Sequence, residues 1–173
     1  LNNRVEDFDL NMDDFIARIN SDLVGKYINI ASRCANFISK RFDGKLAGDV
    51  AKHPLIIEFQ NASSKIAQSY EDKQYGAAIR DIMALADKAN QYIATEEPWV
   101  KIKEESTVAE VHEVSSISLN LFRILTIYLK PAIPNIAKQV ESFLNIEPLT
   151  WQDTQSVLEN HSINRFKAMV QRV

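Results

Sequence analysis

The chain of 173 residues is 46% hydrophobic and 25% charged, with a formal charge of −3. That length suits one well-buried core and excludes two ordinary domains, while four Gly and five Pro leave little material for a turn-rich β architecture. The acidic balance excludes a protein that coats nucleic acid indiscriminately, since neutralising phosphates drives such binding.

Residues 1–10 are acidic, lack a period and read as a connector. The chain starts with Leu1 rather than Met, which suggests a piece of something longer. Asn11 is placed to cap a helix, with Asp13 and Asp14 in a first turn where the helix dipole favours negative charge. From there Ile16, Ile19, Leu23, Tyr27, Ile30, Cys34 and Phe37 recur at spacings of three and four, which predicts a long amphipathic helix ended by Gly44. A polar series on the same helix, Asp22, Lys26, Asn29, Arg33, Asn36 and Lys40, lies about a quarter turn away at roughly 100° per residue. Asn29 and Arg33 therefore stand at the edge of the packed face, held by the helix and open to solvent. Across residues 22–45, five basic side chains face only Asp22 and Asp43; on charge alone this reads as an ordinary solvated helix face.

Residues 45–53 read as a loop, and Pro54 suits the first turn of a second helix running to about Tyr70. A polar turn follows at 71–74. Ile79, Ile82, Ala86, Ala89 and Ile93 predict a third helix, stopped before Pro98. Residues 101–106 form a charged loop, after which Thr107-Val108-Ala109-Glu110 fits a capping box opening a fourth helix to about Lys130. Pro131 and Pro134 break that helix and start a fifth through Leu144. Beyond Asn145 come Pro148, Trp151 and a weakly helical stretch around 166–170. Five helices with short connections predict an all-α fold, an antiparallel bundle occupying residues 11–151. Residues 152–173 form a tail, helical in part, that packs back on it.

Most chemistry is unsupported. His53, His112 and His161 lie far apart and have no Cys or His at metal-ligand spacing, which argues against a metal site. No glycine-rich loop cradles phosphates and no nucleophile turn occurs. Glu96-Glu97 and Glu104-Glu105 read as solvent-facing charge, so no residue is assigned a catalytic role. Cys34, the only cysteine, excludes an internal disulfide, fits a reducing compartment and is in phase with the apolar stripe. No stretch approaches the roughly 20 apolar residues of a membrane span, and no signal peptide opens the chain.

One constellation suits unstacked nucleic-acid bases. An Asn amide and an Arg guanidinium make paired, directional hydrogen bonds to base edges, and Trp99, preceded by Pro98 at a helix end, offers a flat stacking surface. On the residues alone a blander account stands beside this one. A surface Asn and Arg one turn apart often bond each other or a nearby carboxylate, and a Trp just past a helix end often caps a core.

Longer segments tilt the balance. Residues 27–33 (Tyr-Ile-Asn-Ile-Ala-Ser-Arg), Lys40-Arg41-Phe42-Asp43-Gly44, residues 82–90 through Pro98-Trp99, Asn120-Leu121-Phe122-Arg123 and Leu129-Lys130-Pro131 together resemble the anticodon-binding domain of bacterial methionyl-tRNA synthetases. The resemblance covers residues 1–151 strongly and 152–173 more weakly. It implies a cytoplasmic methionine–tRNA ligase whose catalytic domain, missing here with its His-Ile-Gly-His-like and Lys-Met-Ser-Lys-Ser-like motifs, uses ATP with magnesium. This chain would be inactive alone and would read the CAU anticodon of methionine tRNAs. The implied anticodon-binding residues are Asn29, Arg33 and Trp99, with Pro98 positioning the Trp; Lys26 and Lys40 are candidates for phosphate contacts. Gly25 stands where relatives often have Asn, and Cys34-Ala35-Asn36 replaces a common Asn-Ala-Gly. Two other readings remain: a helical protein-interaction module exposing a large apolar groove, and the corresponding domain of another class I synthetase.

Overall fold

The computed structural model describes Asp14, Ala17 and residues 23–167. The expected cap at Asn11, the turns carrying Asp13, Ile16 and Ile19, and the connector 1–10 lie outside the described residues. Asp14 and Ala17 are helical, and the first helix whose bounds are described is α1 (Val24–Arg41). It ends as expected: Asp43 and Gly44 take φ of 55° and 72°, and the Gly44 N–H donates to the Ile38 carbonyl at 2.9 Å.

The bundle is arranged around one helix, α6 (Val108–Leu129), in which every residue from Val114 to Leu129 is buried. A helix covered on all sides must satisfy its polar side chains internally. Ser118 donates to the Val114 carbonyl, and Thr126 to the Phe122 carbonyl, each at 2.8 Å. Tyr27 of α1 bonds the Thr126 hydroxyl and stacks on Phe122 with ring centroids 4.6 Å apart, while Phe42 stacks on His112 at 4.1 Å. Rising numbers on α1 thus meet falling numbers on α6, so the two are antiparallel. Helix α4 (Tyr75–Glu96) also seats on α6 and runs alongside α1, Lys26 meeting Asp87. Helix α7 (Pro134–Leu144) returns along α6, with Phe143 edge-on to Phe122.

Three local expectations are corrected. The single second helix is two, α2 (Pro54–Asn61) and α3 (Ser63–Glu71), because the buried Tyr128 hydroxyl donates to the Phe59 carbonyl, the acceptor residue 63 would need to continue the helix. Pro98 does not merely stop α4: it opens a one-turn helix, α5 (Pro98–Lys101), followed by a 3-10 turn at Glu105–Thr107. The capping box at Thr107 is absent. Its hydroxyl donates instead to the Lys101 and Glu104 carbonyls, and Glu110 faces the Lys101 ammonium at 3.2 Å. A reciprocal box does form at Thr150 and Asp153, opening a 3-10 turn over Trp151–Gln155.

Residues 156–167 are not helical, so the stretch expected around 166–170 is absent at 166–167; residues 168–173 lie outside the described ones. Two buried polar residues of α6 hold this segment. Asn120 exchanges both hydrogen bonds with the Leu158 backbone, at 2.7 and 3.0 Å, and Arg123, only 4% exposed, donates to the carbonyl and hydroxyl of Ser156. Further on, the Leu46 N–H meets the His161 carbonyl and the Ile163 N–H the Gly44 carbonyl, each at 2.8 Å. Asn120→Ala strips both partners from Leu158 and is expected to lower stability by about 1–3 kcal/mol, read as an earlier urea midpoint. A midpoint equal to that of the parent chain would show that the segment is held without Asn120.

Candidate nucleic-acid interface

Asn29 and Arg33 lie one turn apart on the outer edge of α1, where the helix meets α4. Between them stands a residue that spacing did not single out, Asn90 of α4. Its Oδ1 accepts from Asn29 Nδ2 at 3.2 Å and from an Arg33 guanidinium N–H at 3.3 Å. Its Nδ2 donates to the Lys26 carbonyl at 3.0 Å and the Ala86 carbonyl at 3.2 Å. The sequence signal was weak but physical: Asn inside a helix is a poor helix former and needs a reason to be there.

Trp99 arrives from the other side on α5. Glu97 takes a left-handed conformation, φ 46°, immediately before Pro98, which sharply redirects the chain after α4. Pro98 is buried beneath the turn. Lys101 ties the turn to both neighbours, pairing with Glu96 at 2.8 Å and Glu110 at 3.2 Å. These carboxylates raise the Lys101 pKa, a contribution they make by hydrogen bonding against the opposing effect of burial. The indole is left 41% exposed, and the Arg33 guanidinium carbon sits 5.2 Å from its ring centroid, within cation–π range.

The sequence-predicted residues Asn29, Arg33 and Trp99 therefore converge, with Pro98 behind the indole. Lys26 lies one turn before Asn29, but its ammonium is held by Asp87 at 2.8 Å. Lys40 is exposed farther along the same face and makes no ion pair among the described residues. Gly25 opens on solvent, with no atom within 4 Å of where a Cβ would stand. Beneath the site Cys34 is fully buried, and that burial pushes its thiol up to about 12, so it stays protonated and inert. The histidines serve the scaffold: His53 caps α2, while His112 and His161 bond the Lys45 and Leu144 carbonyls. The site therefore combines an exposed amide, a half-buried guanidinium and a part-exposed indole, an arrangement suited to base edges and stacking.

The family model described as the anticodon binding domain of methionyl tRNA ligase matches residues 43–167, a span that includes Asn90 and Trp99 and begins after Arg33. A methionine–tRNA ligase of Thiobacillus denitrificans is 54% identical over all 173 residues, and one of Chromobacterium violaceum 47%. Each match covers 100% of this chain and 25% of the relative, so the chain spans a quarter of the length of these curated relatives. Among solved structures, the apo methionyl-tRNA synthetase of Mycobacterium tuberculosis superposes with a TM-score of 0.76 at 19% identity, over 88% of this chain and 32% of its own. The same enzyme bound by methionyl-adenylate also gives 0.76, at 21% identity, over 86% and 31%. At such identity these two establish the fold; the family match and the whole-chain relatives establish kinship. The chain belongs to the family of anticodon-binding domains of methionyl-tRNA ligases.

Proposed function

We propose that Asn29, Arg33 and Trp99 read the CAU anticodon of methionine tRNAs. The longer protein would be a cytoplasmic methionine–tRNA ligase, its catalytic domain joining methionine to tRNA with ATP and magnesium. The observation that carries this reading is the guanidinium of Arg33 lying over an exposed indole, with the Asn29 amide one turn away, in a chain of this family. A single-stranded loop displays the Watson–Crick edges that a duplex hides, so an amide and a guanidinium can reach them. The flat indole takes a base without regard to its identity, and the two polar side chains supply the discrimination. Of the two candidate phosphate contacts, Lys40 is the better placed, because Lys26 would have to leave Asp87.

The alternatives lose ground on specific observations. A helix-accepting groove would need a broad apolar patch, whereas the large exposed hydrophobic side chains among the described residues are Ile57, Trp99 and Val100. Kinship with methionyl rather than other ligases removes the second alternative.

Trp99→Ala is expected to weaken binding of a CAU stem-loop at least about ten-fold at fixed salt, since stacking one base contributes roughly 1–3 kcal/mol. Unchanged affinity in a variant with a parental circular dichroism spectrum would remove Trp99 from the site. Arg33→Ala should level the affinities for CAU and for a loop with an altered triplet; a preserved preference would assign the reading elsewhere. Gly25→Asn places a side chain in open space one turn before Asn29 and should tighten CAU binding a few-fold, about the effect of one added hydrogen bond. Equal or weaker binding by titration would show that this position does not face the loop.

A further inference from the structure

We infer that Asn90 is a positioning residue: it locks the Asn29 carboxamide with its carbonyl oxygen outward, so that Asn29 reads a base through its exocyclic amine. The inference rests on the reading of Asn29 as a base-contacting residue and specifies what that residue recognises.

The orientation follows from which atoms can only donate and which can only accept. Asn90 lies within hydrogen-bond distance of the Lys26 and Ala86 carbonyl oxygens, which only accept, so its Nδ2 must point at them. Its Oδ1 is then turned to α1, where Arg33, which only donates, contributes an N–H at 3.3 Å. Two independent constraints thus give the same answer for the Asn90 amide. Asn29 stands 3.2 Å from that Oδ1, and only its own Nδ2 can donate there. Its Oδ1 is consequently directed away from α4; the side chain is exposed, and this oxygen has no partner among the described residues. Left alone, a surface Asn amide turns over readily and presents either end. Here one end is committed and the other is an acceptor aimed at solvent, one helical turn from the Arg33 that lies over Trp99.

An outward acceptor requires a donor on the base. In a CAU triplet the donors on the Watson–Crick edges are the amines of cytosine and adenine and the N3–H of uracil; the two amines project beyond the ring, and both are legitimate sources of that donor. The lock also creates discrimination. Removing the amine from either base leaves a C–H opposite the fixed acceptor, and the neighbouring ring nitrogen, which only accepts, cannot replace the lost donor. If Asn90 no longer fixed the amide, Asn29 could turn over and donate to that nitrogen, and the penalty would vanish.

The test uses the 173-residue chain and four stem-loop RNAs of identical stem, followed by fluorescence anisotropy at one salt concentration. The loops carry CAU, CAU with purine riboside for adenosine, CAU with a pyrimidinone riboside lacking the amine for cytidine, and a scrambled triplet. The parent chain should bind one of the two deaminated loops about five- to ten-fold more weakly than CAU. Asn90→Ala and the volume-conserving Asn90→Leu should each bring that ratio below about two-fold while keeping the parental circular dichroism spectrum. Parent chain that cannot tell CAU from the scrambled triplet overturns the base-reading role itself. Preference for CAU over the scrambled loop with indifference to both amines overturns only the acceptor assignment. A deamination penalty that survives in either folded Asn90 variant overturns the role of Asn90.

Discussion

Everything in this fold is referred to a helix with no solvent face. Between Val114 and Leu129, α6 is covered on every side, which makes it the support that α1, α2, α4, α5 and α7 share. Buried area alone would let them slide, since apolar contact is non-directional. Polar groups inside the cover remove that freedom. The Tyr27 hydroxyl meets Thr126, the Tyr128 hydroxyl meets the Phe59 carbonyl, and Asn120 and Arg123 seize the backbone at Leu158 and Ser156. Each such group would cost more unpaired than it contributes paired, so each defines a register. The site inherits that precision, because α1 and α4 hold their mutual spacing by being seated on a common support.

The indole platform follows a different logic. A non-glycine residue in the left-handed region costs of order 1 kcal/mol, and it stands here directly before a proline. The large exposed side chains Trp99 and Val100 add nothing to the core. Stability does not ask for this turn. The surrounding structure nevertheless over-determines it: Pro98 is buried, the Lys101 ammonium bridges Glu96 and Glu110, and the Thr107 hydroxyl ties down the Lys101 carbonyl. Strain retained under so many restraints belongs to a surface that must present a ring in one place.

Periodicity made α1, α4, α6 and α7 legible, because their apolar residues face a common core and recur at helical spacing. The pairing of Asn29 with Arg33 was legible for the same reason, and Pro98 flagged the Trp that follows it. What stayed hidden depends on atoms far away in the chain. Ala62 interrupts a helix through the hydroxyl of Tyr128, which no local propensity contains. Thr107 matched a capping pattern, yet its hydroxyl had better acceptors in the turn before it. Asn90 is 57 and 61 residues from the side chains it holds, and only the docking of α4 on α1 reveals its use. The segment 156–167 has little helical character of its own, and its course is written in Asn120 and Arg123 of α6.

Charge at the site points the same way as the geometry. The chain is acidic overall, and the cation nearest Asn29 along α1 is already held by Asp87. Attraction for phosphates would raise affinity for every RNA alike and leave the triplet unread. A polar cluster with its amides preset and its guanidinium held over an indole would work oppositely. On the proposed reading it would pay little ordering entropy when a base arrives, and would meet the wrong base with an unmatched donor or acceptor. Weak general attraction with stiff local geometry is the combination that favours selectivity over grip, and in a protein as long as the curated relatives, of which this chain spans a quarter, grip would come from the remainder.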